Sequence, residues 1–163
     1  MDLSGKNACV PSKVLSYLVD NDLSPDIAKA LRLFSFDISH VNEISQFYNR
    51  PEGVLDPEII AWCSKNGCVW ITHDKSARKQ HEIDLKTNRI SVLWLHSSES
   101  FSAWTQFKTV VRVIEETQNL LSSAHGALHL RAGVHSGTRP IVIWAEKSKD
   151  MPKQPGKKAK LHQ

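Results

Sequence analysis

The sequence predicts an α/β fold, a three-layer sandwich with a mostly parallel central sheet. Three features lead there. Short, nearly continuous apolar runs recur along the chain, the mark of strands buried on both faces. Between them lie segments whose apolar residues return every three or four positions, as on one face of a helix. The two kinds of segment alternate, and alternation sets parallel strands side by side with helices over both faces. At 163 residues the chain suits one domain with its own core, and 40% hydrophobic with 23% charged residues is ordinary globular composition.

Residues 1–12 read as a flexible lead-in, 13–146 as the folded domain and 147–163 as a disordered lysine-rich tail. Val14-Leu15-Ser16-Tyr17-Leu18-Val19 is the first strand, stopping at Asp20-Asn21-Asp22. Ser24 suits an N-cap, Pro25 the first helical position and Asp26 the positive helix end. Ile27, Leu31 and Phe34 then share a helical face, giving a helix over 25–34. A second strand covers Asp37 to Val41, and 42–55 is a loop.

Asp56-Pro57-Glu58 repeats the cap–proline–acid signal and opens a helix that Gly67 ends in a left-handed stop. Cys68 to Thr72 is a third strand, ending at His73-Asp74. The polar, basic stretch 75–88 has helical potential, and Ile90 to Leu95 is a fourth strand. Phe101, Trp104, Phe107, Val111, Ile114 and Leu121 place a long amphipathic helix over 101–122, with Ser98 or Ser100 as its cap. Ala127 to Leu130 and Ile141 to Trp144 are two more strands around a turn region from Gly133 to Pro140.

No apolar run reaches the roughly 18 residues of a membrane-spanning helix, and Met1 to Lys6 do not read as a signal peptide, so a cytoplasmic protein is expected. Cys9, Cys63 and Cys68 lack zinc-ligand spacing, and the latter two suit small core positions. The net charge of +4 is uneven. The stretch from Lys147 to Gln163 carries +5 and leaves the remainder at −1, so any non-specific attraction for polyanions lies in the tail.

In a parallel sheet every strand ends on the same edge, where open α/β sheets bind their ligands. Asp20 ends the first strand and Asp74 follows the third. Asp56 starts the helix after the second strand, so it belongs to that edge too. Taken alone, Asp20 is better explained as a turn residue and Asp56 as a helix cap, and Asp74 also suits a cap. Together they form a carboxylate cluster, which costs stability unless a cation neutralises it. A hard dication such as Mg²⁺ takes one or two carboxylates plus waters and phosphate oxygens. Thr72 stands two residues before Asp74, either as a β-branched strand residue or as a hydroxyl that orients the acid.

These residues also carry a family resemblance. The stretch Tyr17-Leu18-Val19-Asp20-Asn21-Asp22-Leu23-Ser24-Pro25 resembles the LxDxNLSP opening of small PIN-like domains related to VapC-type toxin ribonucleases. Asp56, Ile59 and Trp62, followed by Val69, Ile71 and Thr72-His73-Asp74-Lys75, are similar to the family's DxxI and THDK segments. The resemblance implies a PIN-like fold and Mg²⁺- or Mn²⁺-dependent cleavage of RNA. It carries Asp20, Asp56 and Asp74 over as catalytic, metal-binding acids. It further implies the toxin half of a toxin–antitoxin pair, a protein antitoxin as partner and a possible homodimer, with helix 101–122 as a candidate interface. The sequence departs from the family twice. No glutamate matches the acid expected between the first strand and Asp56, and Ser76 stands where relatives often carry a second acid after the histidine–aspartate pair. The fourth ligand is open between Asp22 and Glu58. An inactive or weakened PIN-like binding module is therefore the alternative.

Lys75, Arg78, Lys79 and His81 follow Asp74 directly. They are candidates to hold RNA phosphates, or else form a solvated polar face. His40, His96 and His129 are expected to be packed or hydrogen-bonded and not ligands, and alternation along the strand turns His73 away from the acids. The tryptophans at 62, 70, 94, 104 and 144 occupy core-like positions. Receiver-like phosphotransfer domains also gather acids at strand ends, but no lysine on a later strand is placed to complete such a site here.

Overall fold

The computed structural model of the chain describes residues 14–48, 53–96, 102–133 and 139–146. The lead-in 1–12, Cys9, Ser98, Ser100, Phe101, turn residues 134–138 and the lysine tail lie outside them. Six strands form one sheet in the order β2-β1-β3-β4-β5-β6. They are β1 (Ser16–Val19), β2 (Asp37–His40), β3 (Cys68–Thr72), β4 (Val92–His96), β5 (Leu128–Gly133) and β6 (Ile141–Ala145). The first five run parallel, and β6 pairs antiparallel with β5. The mostly parallel α/β sandwich expected from the sequence is thus the fold.

The helices are α1 (Asp26–Arg32), α2 (Asp56–Asn66), α3 (Lys75–Gln80), α4 (Glu82–Thr87) and α5 (Ala103–Ser123). Strand alternation sorts the core into two halves. Tyr17, Val19, Val69, Ile71, Leu93 and Leu95 pack under α1 and α5. Leu18, Cys68, Trp70, Val92 and Trp94 pack under α2, α3 and α4. Every residue of β3 is buried, which is why it reads as a continuous apolar run and not as an alternating one.

Local signals explain most boundaries. Ser24 Oγ accepts the Asp26 N–H at 3.3 Å and supports the start of α1. Gly67 closes α2 at φ 67°, a left-handed conformation that favours glycine. Four details differ from the sequence reading. The cap of α5 is Ser102, whose Oγ accepts the Thr105 N–H at 3.3 Å, not Ser98 or Ser100. The loop 42–55 contains two 3-10 turns, Val41–Glu43 and Ser45–Phe47, because Val41 and Phe47 dip into the core. The stretch 75–88 is two short helices meeting at His81. Finally, Asp56 is already helical, with Leu55 in the cap position.

Cys63 and Cys68 are buried free thiols, and burial pushes both up, Cys68 to about 11 and Cys63 further, so neither is a nucleophile. His40 is buried, its ring bridging Leu23 O at 3.0 Å and the Asn42 N–H at 3.1 Å. His129 is buried against Trp94 and Trp144. His96 is exposed at the end of β4 and is not packed in the core. Trp104 also departs from its core-like placement: it is 64% exposed, because the buried face of α5 runs through Thr109, Val110, Val113, Ile114, Thr117 and Leu121.

Candidate metal and nucleic-acid site

The site grows from the ladder between β1 and β3. Chain order reverses there, since β2 lies on one side of β1 and β3 on the other. Such a switch point leaves a crevice at the strands' carboxyl ends. Asp20 carries the ladder one residue past β1, its N–H donating to Ile71 O at 3.0 Å. By alternation Asp20 and Thr72 project from the face that Leu18 and Trp70 share, toward α2. The buried Thr72 hydroxyl hydrogen-bonds the Asp20 carboxylate and accepts the Asp74 N–H at 3.0 Å. One hydroxyl therefore joins the two acids, an orienting role beyond that of a strand filler.

The turn after β1 supplies the next group. Leu23 N–H donates to Asp20 O at 3.1 Å and closes a tight turn. Asn21 N–H donates to Asp20 Oδ1 at 2.7 Å. Asp22 is exposed as a residue, but its carboxylate reaches back to accept the His73 N–H at 2.8 Å. Asp74 caps α3, its Oδ1 accepting both the N–H and the hydroxyl of Ser76 at 2.7 Å. Asp56 enters from the first turn of α2, its Oδ2 lying 3.5 Å from His81 Nε2. His81 Nδ1 is 3.7 Å from Asp84 Oδ2.

The electrostatics show crowding. Burial pushes Asp20 up to about 6, against the pull of Thr72 and Asn21, and the charges of Asp56 and Asp74 push it further. Desolvation of its inward-turned carboxylate, then the charge of Asp20, pushes Asp22 up to about 7. Burial raises Asp56 as well; His81 opposes the rise and Asp74 adds to it. Asp74 alone is lowered. Burial works against its charge, but the two Ser76 donors, the Ala77 N–H and the His73 ring together overcome that cost. His73 thus acts on the site through its backbone N–H to Asp22 and through its charge on Asp74.

Residues 15–97, half of the chain, match the family described as PIN like domain. The chain belongs to the PIN-like domain family. No curated protein and no solved structure matches it. The matched region runs from β1 through β4 and contains Asp20, Asp22, Asp56 and Asp74.

In chemistry, the donors of the PIN-like domain fit a hard dication: they are carboxylate oxygens whose charges raise one another's proton affinity. In arrangement they are held by the protein's own hydrogen bonds. Among the described residues, no group of three or more His, Cys, Asp or Glu side chains is placed to hold a metal ion. Asp20, through its carboxylate, and Asp74, through its backbone N–H, are both tied to the Thr72 hydroxyl, and two carboxylates are as many as Mg²⁺ commonly takes alongside water and phosphate oxygens. Glu58 sits in the first turn of α2, where its carboxylate accepts the Leu55 N–H at 3.3 Å.

Arg78 and Lys79 are exposed on α3, the helix that Asp74 caps, and Lys75 is its first residue. Two residues of the PIN-like domain's site went unrecognised in the sequence. His81 read as one more cation of a basic stretch, yet it lies between Asp56 and Asp84. Ser76 counted only as a missing acid, yet it fixes Asp74. A serine two residues after a capping aspartate is a recognisable turn signal; the reach of His81 across two helices has no counterpart in local spacing.

Proposed function

We propose that this PIN-like domain is a divalent-metal-dependent endoribonuclease, acting in the cytoplasm as the toxin of a toxin–antitoxin pair. The observation that carries the reading is the gathering of four aspartates at the switch-point crevice, where burial first and then neighbouring carboxylate charges hold Asp20, Asp22 and Asp56 above their ordinary proton affinity. Such crowding of carboxylates suits a site that works with a dication. Asp20 and Asp74 would hold Mg²⁺ or Mn²⁺, with Asp56 completing the set and Asp22 or Glu58 as the further ligand. A bound ion would supply Lewis acidity toward the scissile phosphate and its attacking water. Thr72 keeps Asp20 and Asp74 in register. An antitoxin would cover the acidic mouth and present a cation to it.

Incubation of the purified protein with mixed RNA tests the reading. Cleavage with Mg²⁺ or Mn²⁺ that EDTA abolishes supports the enzyme. RNA binding without cleavage under every condition supports the second reading, a non-catalytic binding module. Two observations favour that second reading: the absence, among the described residues, of a three-ligand group, and Ser76 in the place of a second acid. The toxin role is tested separately, by growth arrest on expression and its relief by the product of a small adjacent reading frame.

Under either reading Arg78 and Lys79 hold phosphates beside the acids. The double substitution Arg78→Ala with Lys79→Ala is expected to weaken RNA binding. It should flatten the slope of log K against log salt by about 0.7 for each lost contact with a single strand. Binding titrations at several salt concentrations check this, and an unchanged slope removes these residues from the interface.

A further inference from the structure

An aromatic slot lies on the opposite face of the sheet from the side chains of Asp20 and Thr72. Where the N-terminal turns of α1 and α5 meet, Ser24, Ile27, Ala30, Ala103, Trp104 and Phe107 line an apolar groove of about 400 Å³, with Asp26 on its rim. The Trp104 and Phe107 rings stack with centroids 5.7 Å apart, and Trp104 remains 64% exposed. Lys108 Nζ lies 5.7 Å from the Trp104 ring centroid, and among the described residues no carboxylate pairs with it.

The slot is tied to the acids. Gln106 Oε1 accepts the Ser24 N–H at 2.8 Å and joins α5 to the turn that begins at Asp20. That turn is closed by the Leu23 N–H on Asp20 O. Its Cα ends are therefore within about 7 Å, and Ser24 follows one residue later, so the groove wall starts within about 11 Å of Asp20.

We infer that this groove is a base-binding subsite, which takes an unpaired nucleobase of single-stranded RNA by stacking on Trp104 while Lys108 meets a neighbouring phosphate. The inference rests on the nuclease reading for its orientation, since the strand would run from the α3 cations across the carboxylates to the slot. A flat exposed indole backed by a second ring, with the mobile ammonium of Lys108 over it and the carboxylate site within reach along the chain, matches a nucleotide in both shape and charge. A second copy of the chain or a protein segment would use the apolar walls but would not require Lys108.

The test is binding of a short fluorescein-labelled oligouridylate, followed by anisotropy in EDTA so that no cleavage intervenes. Trp104→Ala is expected to weaken binding about tenfold, equal to ~1.4 kcal/mol, and Trp104→Phe to stay within about twofold of the native protein. Binding to an RNA duplex, whose bases are already stacked, should not change. The exposed position of Trp104 leaves the fold intact in both variants, which circular dichroism checks. Equal oligouridylate affinity for native and Trp104→Ala proteins overturns the inference, as does no measurable binding by the native protein. If native protein is a dimer, Trp104→Ala a monomer, and RNA affinity unmoved, the groove is an interface between copies and the inference fails. Cleavage is measured separately with Mn²⁺. Loss of oligouridylate affinity in Trp104→Ala without cleavage by the native protein keeps the subsite and removes the nuclease reading. Cleavage with an unchanged KM in Trp104→Ala does the reverse.

Discussion

Asp20→Asn and Asp74→Asn are each expected to reduce metal-dependent RNA cleavage by on the order of 10³-fold while leaving the fold intact. Residues that only support a metal ligand typically cost 10–100-fold when replaced, so a carboxylate in direct contact should exceed that range. Asparagine keeps the shape of aspartate. At position 20 it still accepts the Asn21 N–H and meets the Thr72 hydroxyl, and at position 74 it still caps α3 through Ser76. What it removes is the negative charge. Glu58→Gln, which keeps a capping oxygen for the Leu55 N–H, should change cleavage by less than tenfold if Asp22 is the fourth ligand. Turnover of a labelled RNA under single-turnover conditions checks all three. Equal rates in native and Asp20→Asn proteins would take Asp20 out of the chemistry.

The same charge has a stability consequence. Asp20 is 6% exposed and is pushed up to about 6 from an ordinary 3.8. Between those values the folded protein binds more protons than the unfolded chain, so this carboxyl's contribution falls as pH rises and stays unfavourable above about 6. At ~1.4 kcal/mol for each pH unit of the gap, ionised Asp20 costs about 3 kcal/mol. His40 and His129 act in the opposite sense. Burial lowers both, His129 to about 4, so they lose stability as pH falls below 6.5 and mask the trend in the native protein. The comparison with Asp20→Asn removes that masking. In EDTA the variant should melt above the native protein at pH 8, by about 6–12 °C, and the gap should close toward pH 4. Thermal unfolding at the two pH values checks this. A constant gap, or a less stable variant at pH 8, would mean that Asp20 is not strained by its charge. A protein that is stabilised by losing an acid and inactivated by the same change has placed that acid for function.

Much of this was legible in the chain because local rules and function agreed. Continuous apolar runs became buried strands, and Gly67 ended α2 where a left-handed residue was needed. Asp20 and Asp74 could be placed at one edge from strand direction alone, since the period of two and parallel pairing leave little freedom. The legible part ended where long-range packing decides. Trp104 fits a helical apolar stripe, but the stripe that α5 buries is rotated toward Val110 and Leu121, and only the position of α1 reveals the slot. Thr72 could be suspected of orienting Asp74, but its bond to Asp20 depends on the register of β1 on β3. His81 depends on how two short helices follow Asp74, and sequence spacing does not encode that angle. Proximity of the carboxylates followed from topology, whereas their individual hydrogen bonds required coordinates.

The central claim is that the carboxylates at the end of β1 and beyond β3 share a divalent cation. Calorimetric titration of Mn²⁺ into the full chain at pH 7.5 tests it without relying on any substrate. The account predicts saturable binding of one ion or two, with release of a fraction of a proton, mainly from Asp22, which is pushed up to about 7 and is still partly protonated at that pH. It predicts loss of that binding in both Asp20→Asn and Asp74→Asn. No saturable heat from the native protein, or the same isotherm from native and Asp20→Asn proteins, would contradict it.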